Sequence, residues 1–331
     1  MCQVRRQDRP TMYFIGVTTG KSSIMKVFPL WMKELSRSEV RIEGVDLAPH
    51  ATPAAYRAAV AQIKYDPLSL GALVTTHKIN LLEAARDLFD YLDPHAQICG
   101  EVSSISKDGA ALAGHAKDPI TAGLSLDGML GEGYFGRTGG EVLCLGAGGS
   151  TTAIVLHFLN KKRAGDRPSR VVVVNRSPGR LERLKQMAGG PETGIQFEYY
   201  CHTGQKMNDE LMGRLKPYSL VINATGMGKD LPGSPVTNEG VFPKNGIAWE
   251  LNYRGELEFL HQALAQRSSG GLRVEDGWIY FLYGWTEVIA EVLKLEIPDA
   301  LFRKLARIAA EICSPALPPR DLAGQEIGGT L

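Results

Sequence analysis

The chain has 331 residues, 44% of them hydrophobic, which is enough to bury more than one core and points to a soluble globular protein of two domains. Thirty-seven Lys and Arg against 36 Asp and Glu leave a formal charge of +1, which argues against a general nucleic-acid or membrane-surface binder. The five cysteines, Cys2, Cys99, Cys144, Cys201 and Cys313, form no C-x-x-C pair and have no metal spacing, as in a reduced cytoplasmic protein; the start MCQVRRQDRPTMYF has no apolar h-region and no apolar run approaches membrane-spanning length, so neither a signal peptide nor a membrane span is expected.

Strand and helix patterns alternate from Met12 onward. Strands at 13–17, 40–47 and 72–75 are followed in turn by helices at 24–35, 53–63 and from 78 to about 91. That order predicts an α/β fold with a mostly parallel sheet and helices on both faces. Runs 102–106 and 111–114, parted by Lys107-Asp108-Gly109, read as a hairpin or edge pair within a first domain at 1–117. Asp118-Pro119 then opens a helix to about residue 130, and 118–138 form the connection to a second domain at 139–278.

In the second domain, strands are expected at 141–145, 170–174, 197–201, 219–223, 247–251 and 272–274, with a helix at 256–266 and a loop rich in Gly, Pro and Lys at 226–245. Amphipathic helices at 280–293 and 298–313 fit a segment, 279–314, that packs back on the first domain. The Pro/Gly-rich tail at 315–331 is expected to be loosely held.

The most informative stretch is 141–159, EVLCLGAGGSTTAIVLHFL, where an apolar strand runs through a glycine turn into an apolar helix. Gly146, Gly148 and Gly149 allow a sharp turn and a close backbone approach to a pyrophosphate, and the helix points free N–H groups and its positive dipole end at the anion. This is a Rossmann-like, dinucleotide-binding reading of Gly146, Ala147, Gly148 and Gly149. The third glycine position is Thr151, so the fingerprint is imperfect, and a glycine turn that binds nothing is the rival. The next strand ends in Asn175-Arg176-Ser177 with no carboxylate until Glu182. Arg176 can pair a 2′-phosphate, which favours NADP with NAD as the alternative. Ser177-Pro178 also reads simply as a helix cap and first position.

A ligand held by two such domains is expected at the carboxyl ends of both sets of strands, near turns 18–23, 75–78, 103–118 and 223–227. Lys78 starts a helix, where the dipole repels its charge and lowers its pKa, as suits a general base; a solvated lysine in an ordinary first turn explains it equally. Asp118 is either a structural cap or an ionised carboxylate that pairs with Lys78 and a substrate hydroxyl, and the two roles are compatible. His77, His115 and His202 are dispersed, so no metal is assigned. Lys21 and Ser22, just before a helix, suit either a carboxylate site or a capping turn.

Taken in order, these motifs resemble the shikimate dehydrogenase family, including quinate/shikimate dehydrogenases, over nearly the whole chain. The segment Gly71-Ala72-Leu73-Val74-Thr75-Thr76-His77-Lys78 is similar to the family's GANVTxPxK with one residue fewer, and Leu112-Ala113-Gly114-His115-Ala116-Lys117-Asp118 to its GxNTDG. The Gly146-Ala147-Gly148-Gly149 turn, Asn175-Arg176-Ser177 and Asn223-Ala224-Thr225 resemble its GAGG, NRT and NAT. The resemblance implies Lys78 and Asp118 as the catalytic pair, Ala224 and Thr225 among the cofactor contacts, and NADP-dependent oxidation of a ring hydroxyl. It also implies a place in aromatic amino acid biosynthesis and a monomer or homodimer whose partner is a small hydroxy acid.

The departures from the family pattern gather in the substrate shell. Of the S-x-S-x-S-P loop only Ser22 matches, the asparagine position is Ser103, and the region 277–284 has no glutamine. Each buried hydroxyl left unpaired costs on the order of 1–3 kcal/mol, so shikimate itself is expected to be a poor substrate. Lys21, Thr75, Ser103 and Tyr283 join Ser22 as the expected substrate contacts. Lys21 and Lys117 favour an anion unless they are solvated, and Tyr280, Tyr283 and Trp285 form either an aromatic wall or plain helix core. A module of the same fold that binds a metabolite without turning it over is the rival function.

Overall fold

The computed structural model describes residues 4–189, 191–229, 231–313 and 315–317, so Cys2 and most of the tail lie outside the described residues. The chain divides into two compact units: one holds the described residues up to Asp118 and from Leu282 to Cys313, the other Pro119–Phe281 with 315–317.

The first unit is built on six strands: β1 Thr11–Gly16, β2 Arg41–Asp46, β3 Ser69–Val74, β4 Tyr91–Leu92, β5 Ser104–Asp108 and β6 Ala111–His115. They lie in the order β2-β1-β3-β5-β6-β4. β1 pairs in parallel with β2 and β3, while the hairpin β5–β6 runs antiparallel to β3 through β5. Two reversals make β6 parallel to β3, so the carboxyl ends of β1, β2, β3 and β6 and the start of β5 share one edge of the sheet. On one face Tyr13, Ile15, Ala72, Val74, Ile105 and Leu112 join a core with helices Pro53–Tyr65 and Lys78–Ala85. Elsewhere in the unit Trp31 donates its Nε1–H to Leu305 O at 2.8 Å, which ties helix Ile24–Glu34 to helix Asp299–Ile312.

The helix expected from 78 to about 91 is shorter. It ends at Ala85, passes through the turn Arg86–Leu88, and gives way to β4 and helix Pro94–Cys99. Tertiary pairing overrides the helical pattern here. Asp90 N–H donates to Leu112 O at 2.9 Å, and Leu112 N–H donates to Asp90 Oδ2 at 2.8 Å, which draws the segment onto β6. Asp93-Pro94 then starts the next helix, with Asp93 Oδ1 accepting from Ala96 N–H at 2.6 Å.

The second unit is a fully parallel sheet of β7 Val142–Leu145, β8 Arg170–Asn175, β9 Gln196–Cys201, β10 Leu220–Asn223, β11 Ile247–Glu250 and β12 Arg273–Glu275, in the order β12-β11-β10-β7-β8-β9. Alternate residues feed two cores. Val142, Cys144, Val171, Val173, Leu220, Ile222, Ile247 and Trp249 enter one, and Leu143, Leu145, Val172, Val174, Val221 and Ala248 the other. Burial on both faces is why these strands read as continuous apolar runs. All six carboxyl ends lie at one edge, and the order reverses direction between β7 and β10, which is where such sheets open a crevice. No helix among the described residues is long and apolar enough to cross a membrane.

Candidate active site

In the first unit, Lys78 opens helix Lys78–Ala85 just past the end of β3, and Asp118 opens helix Asp118–Leu130 just past the end of β6. With only β5 between those strands, the two side chains meet: Lys78 Nζ donates to Asp118 Oδ2 across 40 residues of sequence. Both are mostly buried, at 19% and 11% side-chain exposure, so the ion pair is shielded from bulk solvent. The turn that delivers Lys78 is strained. Thr76, a β-branched residue, sits at φ +47, in the left-handed region that such residues rarely adopt. His77 is an internal strut, its Nε2 donating to Leu47 O at 3.0 Å and its Nδ1 accepting from the Tyr56 hydroxyl at 3.1 Å.

A third ionisable group stands beside this pair. Glu101 is 3% exposed and follows Gly100, which ends helix Pro94–Cys99 in the left-handed conformation at φ +64. Burial pushes the Glu101 carboxyl up to about 7; the Lys78 ammonium opposes that rise and the Asp118 carboxylate adds to it. The Cys99 thiol is pushed up to about 12 by burial and by Glu101, Asp118 and Asp93, which makes it a poor nucleophile.

The expected substrate contacts are placed as follows. Ser22 is buried at the end of the turn Thr19–Lys21, while Lys21 is exposed. That turn is anchored to β2 through Asp46, whose Oδ1 accepts from Thr19 N–H at 2.7 Å and from its hydroxyl at 2.5 Å. Thr75 is half-buried at the end of β3, its N–H bonded to Ile15 O at 3.0 Å. Ser103 Oγ accepts from Lys117 N–H at 2.7 Å, and Lys117 Nζ pairs with Glu291 Oε2 at 2.6 Å. Burial works to raise the Glu291 carboxyl, but Lys117 and His115 outweigh it and hold it below its ordinary value. Tyr283 is buried with its ring stacked on Phe302 at 4.4 Å, in helix packing, and Trp285 packs edge-on to Phe14 of β1 at 5.0 Å, so both stand in the core of this unit.

In the second unit, Gly146 has φ +112, and a Cβ there would fall 2.5 Å from Ala224 O, so only glycine fits. Gly148 is the N-cap of helix Gly149–Asn160 and brings no side-chain cap, so no side chain of the cap residue satisfies the N–H groups at the helix start. Ala147 is buried and contributes backbone alone. Thr151 explains the missing third glycine: it is fully buried, and its hydroxyl donates to Gly146 O at 2.8 Å, bracing the turn from inside the helix. At the end of β8, Asn175 Nδ2 donates to Ser177 O at 3.3 Å and Arg176 is exposed. Ser177 occupies the N-cap position of helix Pro178–Ala188 without a side-chain capping bond.

The turn carrying Ala224 and Thr225 is held by a network that the sequence did not reveal. Asn223 Oδ1 accepts from Thr225 N–H at 3.1 Å and from its hydroxyl at 2.7 Å. Beneath it Glu250, fully buried at the end of β11, accepts from Asn223 Nδ2 at 2.6 Å and from Asn252 N and Nδ2 at 2.8 and 2.6 Å. Burial pushes the Glu250 carboxyl up to about 7 despite those donors. The available signal was an acidic residue closing an otherwise apolar strand, IAWE. Glu101 offered no comparable signal. No group of three or more His, Cys, Asp or Glu among the described residues is arranged to hold a metal ion.

No family model matches the chain. It is 28% identical over 214 residues to a shikimate dehydrogenase (NADP(+)) of Symbiobacterium thermophilum, covering 64% of this chain and 67% of that protein. It is 31% identical over 211 residues to the enzyme of the same name from Dechloromonas aromatica, covering 62% of this chain and 66% of that one. The matched region thus spans about two thirds of each relative. The crystal structure of shikimate dehydrogenase from Aquifex aeolicus has the same fold, with a TM-score of 0.66 at 18% identity over 92% of this chain and 99% of that one.

Proposed function

We propose, on the premise that this chain belongs to the shikimate dehydrogenase family, that it is an NADP-dependent oxidoreductase acting on a secondary hydroxyl of a shikimate- or quinate-like hydroxy acid. The observation that carries the reading is the Lys78–Asp118 contact, an ammonium and a carboxylate brought from two strand ends to one point. The residues present fit a dinucleotide. The backbone of Gly146, Ala147, Gly148 and Gly149 would hold the pyrophosphate, Asn175, Arg176 and Ser177 the adenosine side with its 2′-phosphate, and Ala224 and Thr225 a further stretch of the cofactor. When bound, the nicotinamide supplies the hydride acceptor and donor.

The chain's own part is positioning and proton transfer. Asp118 orients Lys78; as the neutral amine, Lys78 Nζ takes the hydroxyl proton while the carbinol carbon is oxidised and becomes the ammonium that pairs with Asp118, and as that ammonium it returns the proton on reduction. Thr75, Ser22 and Lys21 lie near the ends of β3 and β1, at the same sheet edge, and would bind the acid's polar groups. Ser103 Oγ and Lys117 are engaged within the protein, by each other and by Glu291, which supports a substrate of different shape from shikimate.

Turnover of NADP and NAD with shikimate, quinate and a panel of hydroxy acids tests this. The expected result is measurable hydride transfer with one member of the panel, weak transfer with shikimate, and a loss of about 100- to 10,000-fold in kcat/KM for Lys78→Ala. Equal turnover by wild type and Lys78→Ala removes the proton pair from the mechanism. No hydride transfer in either supports a binding module instead.

A further inference from the structure

Around Lys78 and Asp118 the fold places one more ionisable group than the reaction above uses. Glu101 is 3% exposed, and among the described residues its carboxylate has neither a hydrogen bond nor an ion pair. A carboxylate held this far out of water beside another carboxylate is costly even with the Lys78 ammonium acting on it, and its retention calls for a reason. Its backbone is fixed against the pair, because the next residue, Val102, donates its N–H to Lys78 O at 3.3 Å. The titratable groups that share its surroundings are Lys78 from helix Lys78–Ala85, Asp118 from helix Asp118–Leu130, and Cys99 and Asp93 from helix Pro94–Cys99 and its cap.

We propose that Glu101 is a positioning residue that sets the charge of the Lys78–Asp118 pair, the gain or loss of its proton deciding whether the ammonium faces one carboxylate or two. Protonated, it leaves one ammonium against one carboxylate, and the site is neutral. Ionised, it makes the site −1 and stabilises the Lys78 ammonium, so that Lys78 holds its proton to higher pH. Burial, opposed by Lys78 and reinforced by Asp118, puts that change at about 7. A proton on Lys78 is what a ketone oxygen needs during reduction, so ionised Glu101 extends reduction toward alkaline pH.

The proposal rests on the dehydrogenase reading only for that kinetic consequence, and the first test is independent of turnover. Infrared difference spectra of the whole protein, titrated without ligand, follow the carbonyl band of a protonated carboxyl group, assigned by its loss in Glu101→Gln. The expected midpoint lies near 7. Lys78→Met removes the opposing ammonium and raises the midpoint, while Asp118→Asn removes a like charge and lowers it, each by about one pH unit or more. These opposite shifts identify the band even where Glu101→Gln does not fold. A midpoint in the ordinary carboxylate range, or one that neither variant moves, overturns the proposal. In ketone reduction, Glu101→Gln should bring the alkaline limb of the pH profile to lower pH and Glu101→Asp should restore it; an unmoved limb also overturns the proposal. A wild type that transfers no hydride sinks the dehydrogenase reading and leaves the spectroscopic result to decide on Glu101.

Discussion

On the proposed function, the carboxyl edges of the two sheets would use opposite chemistry. At the edge of the first sheet the groups brought together are side chains, Lys78 with Asp118 and Lys117 with Glu291, each charge paired with another. At the edge of the second the features are backbone, a glycine turn and a helix start without a side-chain cap, and the acid of that edge, Glu250, lies beneath the surface bonded to amides. The proposed tasks would account for the difference. A proton must be moved by a group that can titrate, whereas a pyrophosphate is bound by N–H groups whose partial charge never changes.

That contrast can be broken at a single backbone position. Gly146→Ala adds a Cβ 2.5 Å from Ala224 O at a residue with φ +112. The expected cost is on the order of 2–4 kcal/mol in folding stability and at least about a tenfold loss of NADP affinity, measured by urea unfolding and titration calorimetry. Retained affinity would mean that the turn does not approach the nucleotide.

The buried acid of the second unit sharpens the contrast through pH. An acid whose pKa is raised on folding binds more protons in the native state than in the unfolded one, so stability is fullest below its ordinary value and falls as pH rises through the folded value. For Glu250 that window runs from 4.5 to about 7. The loss is on the order of 3 kcal/mol at most. Urea midpoints at pH 5 and pH 8 should differ less in Glu250→Gln than in wild type, with a residual slope from Asp276, which burial pushes up to about 6, and from Glu101, pushed up to about 7. Identical slopes would show that Asn223 and Asn252 keep Glu250 ionised throughout.

The smallest expected effect is at an exposed side chain. Arg176→Ala should reduce the preference for NADP over NAD by about tenfold, near 1.4 kcal/mol, read as the ratio of kcat/KM for the two cofactors. An unchanged ratio assigns the 2′-phosphate to another group.

Legibility in the sequence followed burial. The six strands of the second sheet stood out as apolar runs because both of their faces are covered, and the observed strands differ from the expected spans by a residue or two at their ends. β4 and helix Pro94–Cys99 were missed, although Asp93-Pro94 is the same cap signal that marked Asp118-Pro119. Two residues of strand carry no periodicity, and only pairing with β6 creates them.

By itself, then, the chain's order of residue types determined the α/β architecture, the glycine turn and the two strand-to-helix turns that carry Lys78 and Asp118. These are local matters, set by apolar periodicity, backbone freedom and helix-start chemistry within a few residues. Tertiary structure alone decided which charges are spent on one another. Lys117 is taken by Glu291, Ser103 by the Lys117 backbone, Tyr283 by Phe302, while Glu101 is buried where the Lys78 ammonium and the Asp118 carboxylate both act on it. Partners 14 to 174 residues apart are chosen by strand order and helix packing, and no window along the chain is wide enough to hold them.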